Sequence, residues 1–255
     1  MPGKRRRGRV GAQAAPGGAL DLNRIVQTAI TLLNESGLQR LSMRTLADAL
    51  GVRAASLYWH IRDKAELCVL IADKVCEDVD LSLPEPSWEE QLTMIARSYR
   101  AALLKVRDSE QILADSPPFS PMRLQLIETV CRWLADAGVP REEVLSCGGL
   151  FNNYVLTSVQ EERIFRRMAE ERGGGLSSLL ASGQAAFHDL PVESYPMLAS
   201  LAQEAGSMDP EVQFHFGLRV ILDGISSRIR KSEKANLRTS VPRNRGMGRP
   251  HRKRS

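Results

Sequence analysis

At 255 residues the chain is long enough for one or two domains with a hydrophobic core, and its 43% hydrophobic and 25% charged residues exclude disordered, collagen-like and membrane-embedded classes. The formal charge of +5 is unevenly laid out: residues 1–20 hold five basic and no acidic side chains, residues 231–255 nine basic and one acidic, and residues 21–64 six basic and four acidic. That leaves a net −10 on residues 65–230, so an acidic body carries a mildly basic lobe and two basic ends, a layout suited to touching a polyanion at one end only. The longest uncharged stretch, Val144–Gln160, is too short and too polar for the ~20 apolar residues of a membrane span. The basic run Lys4–Arg9 is followed by Gly, Ala, Gln and Pro instead of the apolar core of a signal peptide. A cytoplasmic protein with no membrane partner is expected.

In chain order, every long segment shows a helical period and none the strict alternation of a strand, so the fold is expected to be all-α. Leu22, Ile25, Val26, Ala29, Ile30 and Leu33 form one stripe, and Gly37 is placed to end that helix in a left-handed cap. Ser42 is a good N-cap for a short helix bearing Leu46 and Leu50, which Gly51 breaks. A third helix starts near Arg53 and turns Leu57 inward. Further helices are expected over 65–80, 88–106, 121–137, 140 to about 167, and 211–230. The Gly- and Ser-rich stretch 168–193 reads as a mobile loop. The organisation expected is a basic disordered arm over 1–20, a reader domain over 21–66, a helical body over 67–230 and a basic disordered tail over 231–255. Cys68, Cys76, Cys131 and Cys147 lie in apolar helical patterns without C-x-x-C spacing, and read as buried thiols in a reducing compartment.

Two short helices joined by a glycine turn after a longer amphipathic helix are the mark of a helix-turn-helix, which makes residues 21–66 the candidate DNA reader. Small residues Ala54, Ala55 and Ser56 let its last helix enter a major groove, while Tyr58, His60 and Lys64 are long enough to reach phosphates. The run Leu41–Val52 followed by Ala55–Leu67 resembles the tetracycline-repressor (TetR) family of bacterial regulators. The resemblance to the tetracycline-repressor type continues through Asp80–Pro84, Ser87-Trp88, Ser98–Asp108 and Asp136–Val139, and weakens after about residue 165. It implies base or groove contacts by Arg44, Arg53, Ala54, Ala55 and Ser56, and phosphate contacts by Ser42, Tyr58, Trp59, His60 and Lys64. Arg53 departs from the founding repressor, which is acidic there; an arginine fork prefers guanine, so a different operator is expected.

The resemblance also implies an effector site in the body. Tetracycline repressors hold the drug's magnesium with a histidine and the drug itself with asparagine, phenylalanine and glutamine side chains. The corresponding positions here are Leu113 for the histidine, Ile95 for the asparagine, Tyr99 for the phenylalanine and Val130 for the glutamine. Leucine cannot coordinate a hard cation, so neither metal nor cofactor is expected. The expected pocket is lined by Val79, Leu83, Ile95, Leu113, Val130 and Trp133, with room made by Gly148 and Gly149 and polar anchors at Tyr99, Ser116 and Asn152. A small, hydrophobic, polycyclic effector fits such a lining.

Val144–Gln160 is uncharged on both sides, with Gly148, Gly149 and Asn152 on one and Cys147, Phe151, Tyr154 and Ser158 on the other. The last helix likewise carries a stripe of Phe214, Leu218, Ile221, Leu222 and Ile225 and a second of Phe216, Val220, Gly224 and Ser227. Helices without a polar face pack on two sides, and the second surfaces are assigned to a homodimer that presents its readers to a palindromic double-stranded operator. Catalysis is not expected: His60, His188, His215 and His251 fall in separate segments, and Gly173–Gly175 follows a helix with no strand before it. The competing reading is a constitutive architectural DNA binder, which the basic ends favour and the acidic body opposes.

Overall fold

Asp21 opens the first helix, α1 (Leu22–Ser36), by accepting a hydrogen bond from the Arg24 N–H at 2.8 Å. The computed structural model describes residues 20–82, 87–204 and 209–240, and among them every regular element is a helix. Leu83, residues 1–19 of the arm and residues 241–255 of the tail lie outside the described residues. The chain divides between Leu67 and Cys68 into two compact units.

In the first unit, Ile25, Val26, Ala29 and Leu33 of α1 are buried, whereas Leu22, expected on the same stripe, is exposed. Gly37 ends α1 with φ +80°, but its ψ of 167° is extended, so the cap is not the left-handed one expected. Helix α2 (Met43–Leu50) begins with a capping box: Ser42 Oγ accepts from the Thr45 N–H at 3.1 Å, and Thr45 Oγ1 accepts from the Ser42 N–H at 2.9 Å. Gly51 closes it in the left-handed region (φ +68°, ψ 29°). Helix α3 (Ala54–Leu57) follows, and Leu46, Leu57 and Ile61 complete the core of the unit. Helix α4 (Lys64–Glu77) starts in this unit and continues into the second.

The second unit contains α5 (Trp88–Lys105), α6 (Ser109–Asp115), α7 (Pro121–Asp136), α8 (Val144–Glu171), α9 (Leu176–His188), α10 (Pro196–Glu204) and α11 (Pro210–Ser240). Helix α8 is its spine, packed by α5, α6, α7, α9 and α11. Arg100 of α5 ties three of these together. It pairs at 2.5 Å with both Glu162 of α8 and Glu211 of α11, and its guanidinium lies 4.8 Å from the centre of the Phe214 ring. Arg163 of α8 donates to the Leu103 and Val106 carbonyls at 2.7 Å each and pairs with Glu110, which fixes the turn from α5 to α6.

Two expectations are corrected. The stretch 168–193 is not one loop: α8 runs on to Glu171 and α9 occupies Leu176–His188. The glycines that break helix are confined to 173–175, with Gly173 at φ +68°, while Leu176, Leu179, Leu180, Ala181, Ala185 and Ala186 are strong helix formers. The tail expected to be disordered from 231 is helical to Ser240. Short α6 and α10 escape a periodicity reading because two turns carry too little pattern.

Where α8 meets α11, the Tyr154 hydroxyl lies 2.8 Å from the Phe214 carbonyl, to which it donates, and 3.1 Å from that of Gln213. A Cβ at Gly217 would collide with the Tyr154 ring and hydroxyl. Gly217→Ala is therefore expected to lower stability by about 1–3 kcal/mol in a denaturant titration, and a change within ~0.3 kcal/mol would show that Tyr154 moves aside at no cost.

Candidate DNA-reading head and effector cavity

The capping box and Gly51 set the angle at which α3 leaves the turn, and Arg53 stands at its N-cap with extended backbone (φ −74°, ψ 142°). Arg44, Arg53, Ala54, Ala55, Tyr58 and His60 are exposed, and Ser42 and Ser56 half-buried. Trp59 is 90% exposed, which excludes a role for its ring in the core of the unit. Buried Leu57 and Ile61 bracket these residues, so packing holds the segment while the polar and small side chains stay outside.

Lys64 differs from a freely extended phosphate contact: its ammonium donates to the Leu38 carbonyl at 2.8 Å and is half-buried. Two of its three protons remain for another acceptor. Arg62 holds the Glu66 carboxyl below the ordinary range, first through its backbone N–H at 2.7 Å and then through its guanidinium at 3.1 Å.

Within the second unit, α5, α6, α7 and α8 line a partly open cavity of about 420 Å3. Of the residues expected to line it, Tyr99 comes from α5, Leu113 and Ser116 from α6 and its end, Val130 from α7, and Gly148, Gly149 and Asn152 from α8. Val79 and Ile95 do not line it; they are buried in packing elsewhere, and Ile95 lies one full turn before Tyr99 on α5. Trp133 is half-buried and does not line it, although it lies two turns beyond Leu126 on nearly the same side of α7. Arg123, Phe151 and Leu156 were missed, although an arginine at i with apolar partners at i+3, i+4 and i+7 marks a charge on a buried face.

The lining is chiefly apolar with one built polar pair. Tyr99 is 2% exposed and its hydroxyl donates to Asn152 Oδ1 at 3.2 Å. Burial pushes the phenol well above its ordinary ionisation range, so it stays a neutral donor. A Cβ at Gly148 would touch Cys131 Sγ at 3.6 Å and one at Gly149 would meet nothing within 4 Å, so small residues there keep the wall thin. No disulfide joins any of the four cysteines, and burial raises the Cys76 thiol to about 12. Among the described residues no cluster of His, Cys, Asp or Glu could hold a metal ion, and no helix is long and apolar enough to cross a membrane.

Comparison with known proteins follows the same division. The model for bacterial regulatory proteins of the tetR family matches residues 25–70, and that for the tetracyclin repressor-like C-terminal domain matches residues 82–229. Tetracycline repressor protein class A from transposon 1721 of Escherichia coli is 31% identical over 212 residues, covering 82% of this chain and 92% of the relative. An HTH-type transcriptional regulator of Saccharopolyspora erythraea is 32% identical over 209 residues, with 82% and 85% covered. The crystal structure of Streptomyces coelicolor ActR in complex with actinorhodin superposes with a TM-score of 0.72 at 31% identity, over 82% of this chain and 98% of that one. With a helix-turn-helix head, a hollow helical body and matches that span both, the chain belongs to the tetracycline-repressor (TetR) family of bacterial transcriptional regulators.

Proposed function

We propose that this protein is a ligand-responsive repressor that binds a palindromic operator as a homodimer and leaves it when a small hydrophobic, polycyclic effector fills the cavity of α5–α8. The observation that carries this reading is that cavity, lined chiefly by apolar side chains around the Tyr99–Asn152 pair, in a body whose helix α4 begins in the reader unit. That ActR has been crystallised in complex with actinorhodin supports a small-molecule effector here. The homodimer is supported by uncharged exposed side chains on two helices, Leu145 (75% exposed) and Leu150 on α8 and Val212, Phe216 (66%) and Val220 on α11, a surface that single soluble chains rarely leave bare.

A chain of hydrogen bonds runs from the cavity wall to α4. Arg123 of the cavity wall donates to the Ser116 carbonyl at 3.0 Å and the Leu113 carbonyl at 2.5 Å, at the end of α6. The first amides of α7 in turn donate to Asp73 of α4, from Met122 at 2.7 Å and Arg123 at 3.3 Å. An effector that shifts α6 or α7 thereby shifts α4, and linkage requires that it weaken operator binding by the factor by which the operator weakens effector binding.

Titrating the purified protein onto DNA from beside its own gene in a footprinting experiment tests the reading. A discrete palindromic footprint is expected, whereas uniform coating would establish the architectural alternative. In the same assay Arg53→Ala is expected to cost ~1–3 kcal/mol and relax preference at one base pair of each half-site, and unchanged preference would remove Arg53 from base reading. Lys64→Ala should weaken binding about equally for all sequences and lower the salt slope by about one per subunit. Tyr99→Ala and Asn152→Ala should each weaken effector-driven release about tenfold, with operator binding unchanged. Release should need no magnesium, and magnesium-dependent induction by tetracycline would sink the assignment of Leu113.

A further inference from the structure

Arg123 is 7% exposed and sits in the wall of the cavity, yet no carboxylate among the described residues forms an ion pair with it. The other deeply placed arginines of the body are paired, Arg100 with Glu162 and Glu211, and Arg163 with Glu110. The carbonyls of Leu113 and Ser116 supply Arg123 with hydrogen bonds and partial charges, but not a full counter-charge. Asp73, on α4, is engaged by the backbone amides of Met122 and Arg123 instead of the guanidinium. Two of the five guanidinium N–H groups are used by the carbonyls. The Arg123 side chain makes no other hydrogen bond among the described residues, and the residue lines the cavity. The same cation acts on the cavity's neighbours, offsetting part of the upward push of burial on Tyr99 and Cys76.

A buried cation in the wall of a chiefly apolar cavity, with no carboxylate paired to it, leaves a ligand to supply the counter-charge. We propose that the effector is an organic anion, an apolar ring system bearing one carboxylate, sulfonate or ionised phenol, and that this group pairs with Arg123. The inference rests on the effector reading of the cavity and adds its charge. It also gives the anion a lever: a group that draws the guanidinium into the cavity loosens its hold on the Leu113 and Ser116 carbonyls, where α6 ends, next to the α7 amides that hold Asp73.

The test uses two fluorescent probes that share a framework and differ in charge, the anionic 8-anilinonaphthalene-1-sulfonate and the neutral N-phenyl-1-naphthylamine, titrated into purified full-length protein. Binding that survives in a Val130→Trp variant, whose indole fills the cavity, is subtracted from each. The sulfonate is expected to bind about tenfold or more tightly than the neutral probe. Arg123→Gln should bring the two within about threefold by weakening only the sulfonate, and Arg123→Lys should keep most of the preference. Equal affinities in the unsubstituted protein, or a preference that survives Arg123→Gln, overturn the inference and leave the cavity as a site for neutral ligands. If neither probe binds beyond the Val130→Trp background, the effector reading itself falls, and this inference with it. Because Arg123→Gln also removes a hold on α6, the comparison in the unsubstituted protein decides the matter even if that variant does not fold.

Discussion

Phe216→Asp combined with Val220→Asp is expected to turn the protein into a monomer and to lower operator affinity by about a thousandfold, the low end of the gap between specific and non-specific binding. Both side chains are exposed on one face of α11, one turn apart, and neither contributes to the buried stripe of Phe214, Leu218, Leu222 and Ile225. The substitutions therefore leave the body's own core intact while placing two charges in the centre of the proposed interface, where each would have to be desolvated against its symmetry mate. A single reader that has lost its partner keeps its groove contacts but not the second half-site. Sedimentation velocity and a gel shift on the same sample give the answer. A double variant that remains a dimer and binds normally would place the subunit contact elsewhere.

Glu162→Ala is expected to destabilise the protein by about 3 kcal/mol, or roughly 6–12 °C in a thermal melt followed by circular dichroism. Glu162 is 3% exposed; one oxygen accepts from Arg100 at 2.5 Å and the other from Arg166 at 2.6 and 2.9 Å. Truncation leaves the Arg100 guanidinium, whose Nε is already without a partner, with only the exposed Glu211 carboxylate. The loss is chiefly that of stranding a buried charge, and it exceeds what the pair contributes over an apolar replacement. Glu162→Gln, which keeps the volume and one acceptor but loses the charge and turns its NH2 toward one of the two arginines, should cost less than the alanine variant. A loss under ~1 kcal/mol for the alanine variant would mean that water reaches Arg100 and replaces the carboxylate.

The reader was legible because its instructions are local. Ser42 caps α2 through Thr45, three residues on, Gly51 supplies a left-handed backbone that other residues adopt at a cost, and Leu46 and Leu57 fall inward at helical spacing. All-α architecture followed from the same short-range periodicity. The stretch 168–193 shows where composition misleads: glycine and serine mark it as a loop, but three clustered glycines break a helix once, and the alanines and leucines after them begin another. The cavity divides along a different line. The sequence placed Tyr99, Leu113, Val130 and Asn152 in one site, yet it also enrolled Val79, Ile95 and Trp133 and passed over Arg123. Which turn of a helix reaches a hollow, and which side of it faces there, is set by packing against neighbours far away in the chain. The sequence by itself therefore determined the all-α class, the longer periodic helices and the caps at Ser42 and Gly51, all governed by contacts within about four residues. Only the tertiary structure decided which side chains meet across α5, α6, α7 and α8, and left a cation among them without a carboxylate, because long-range packing sets those distances.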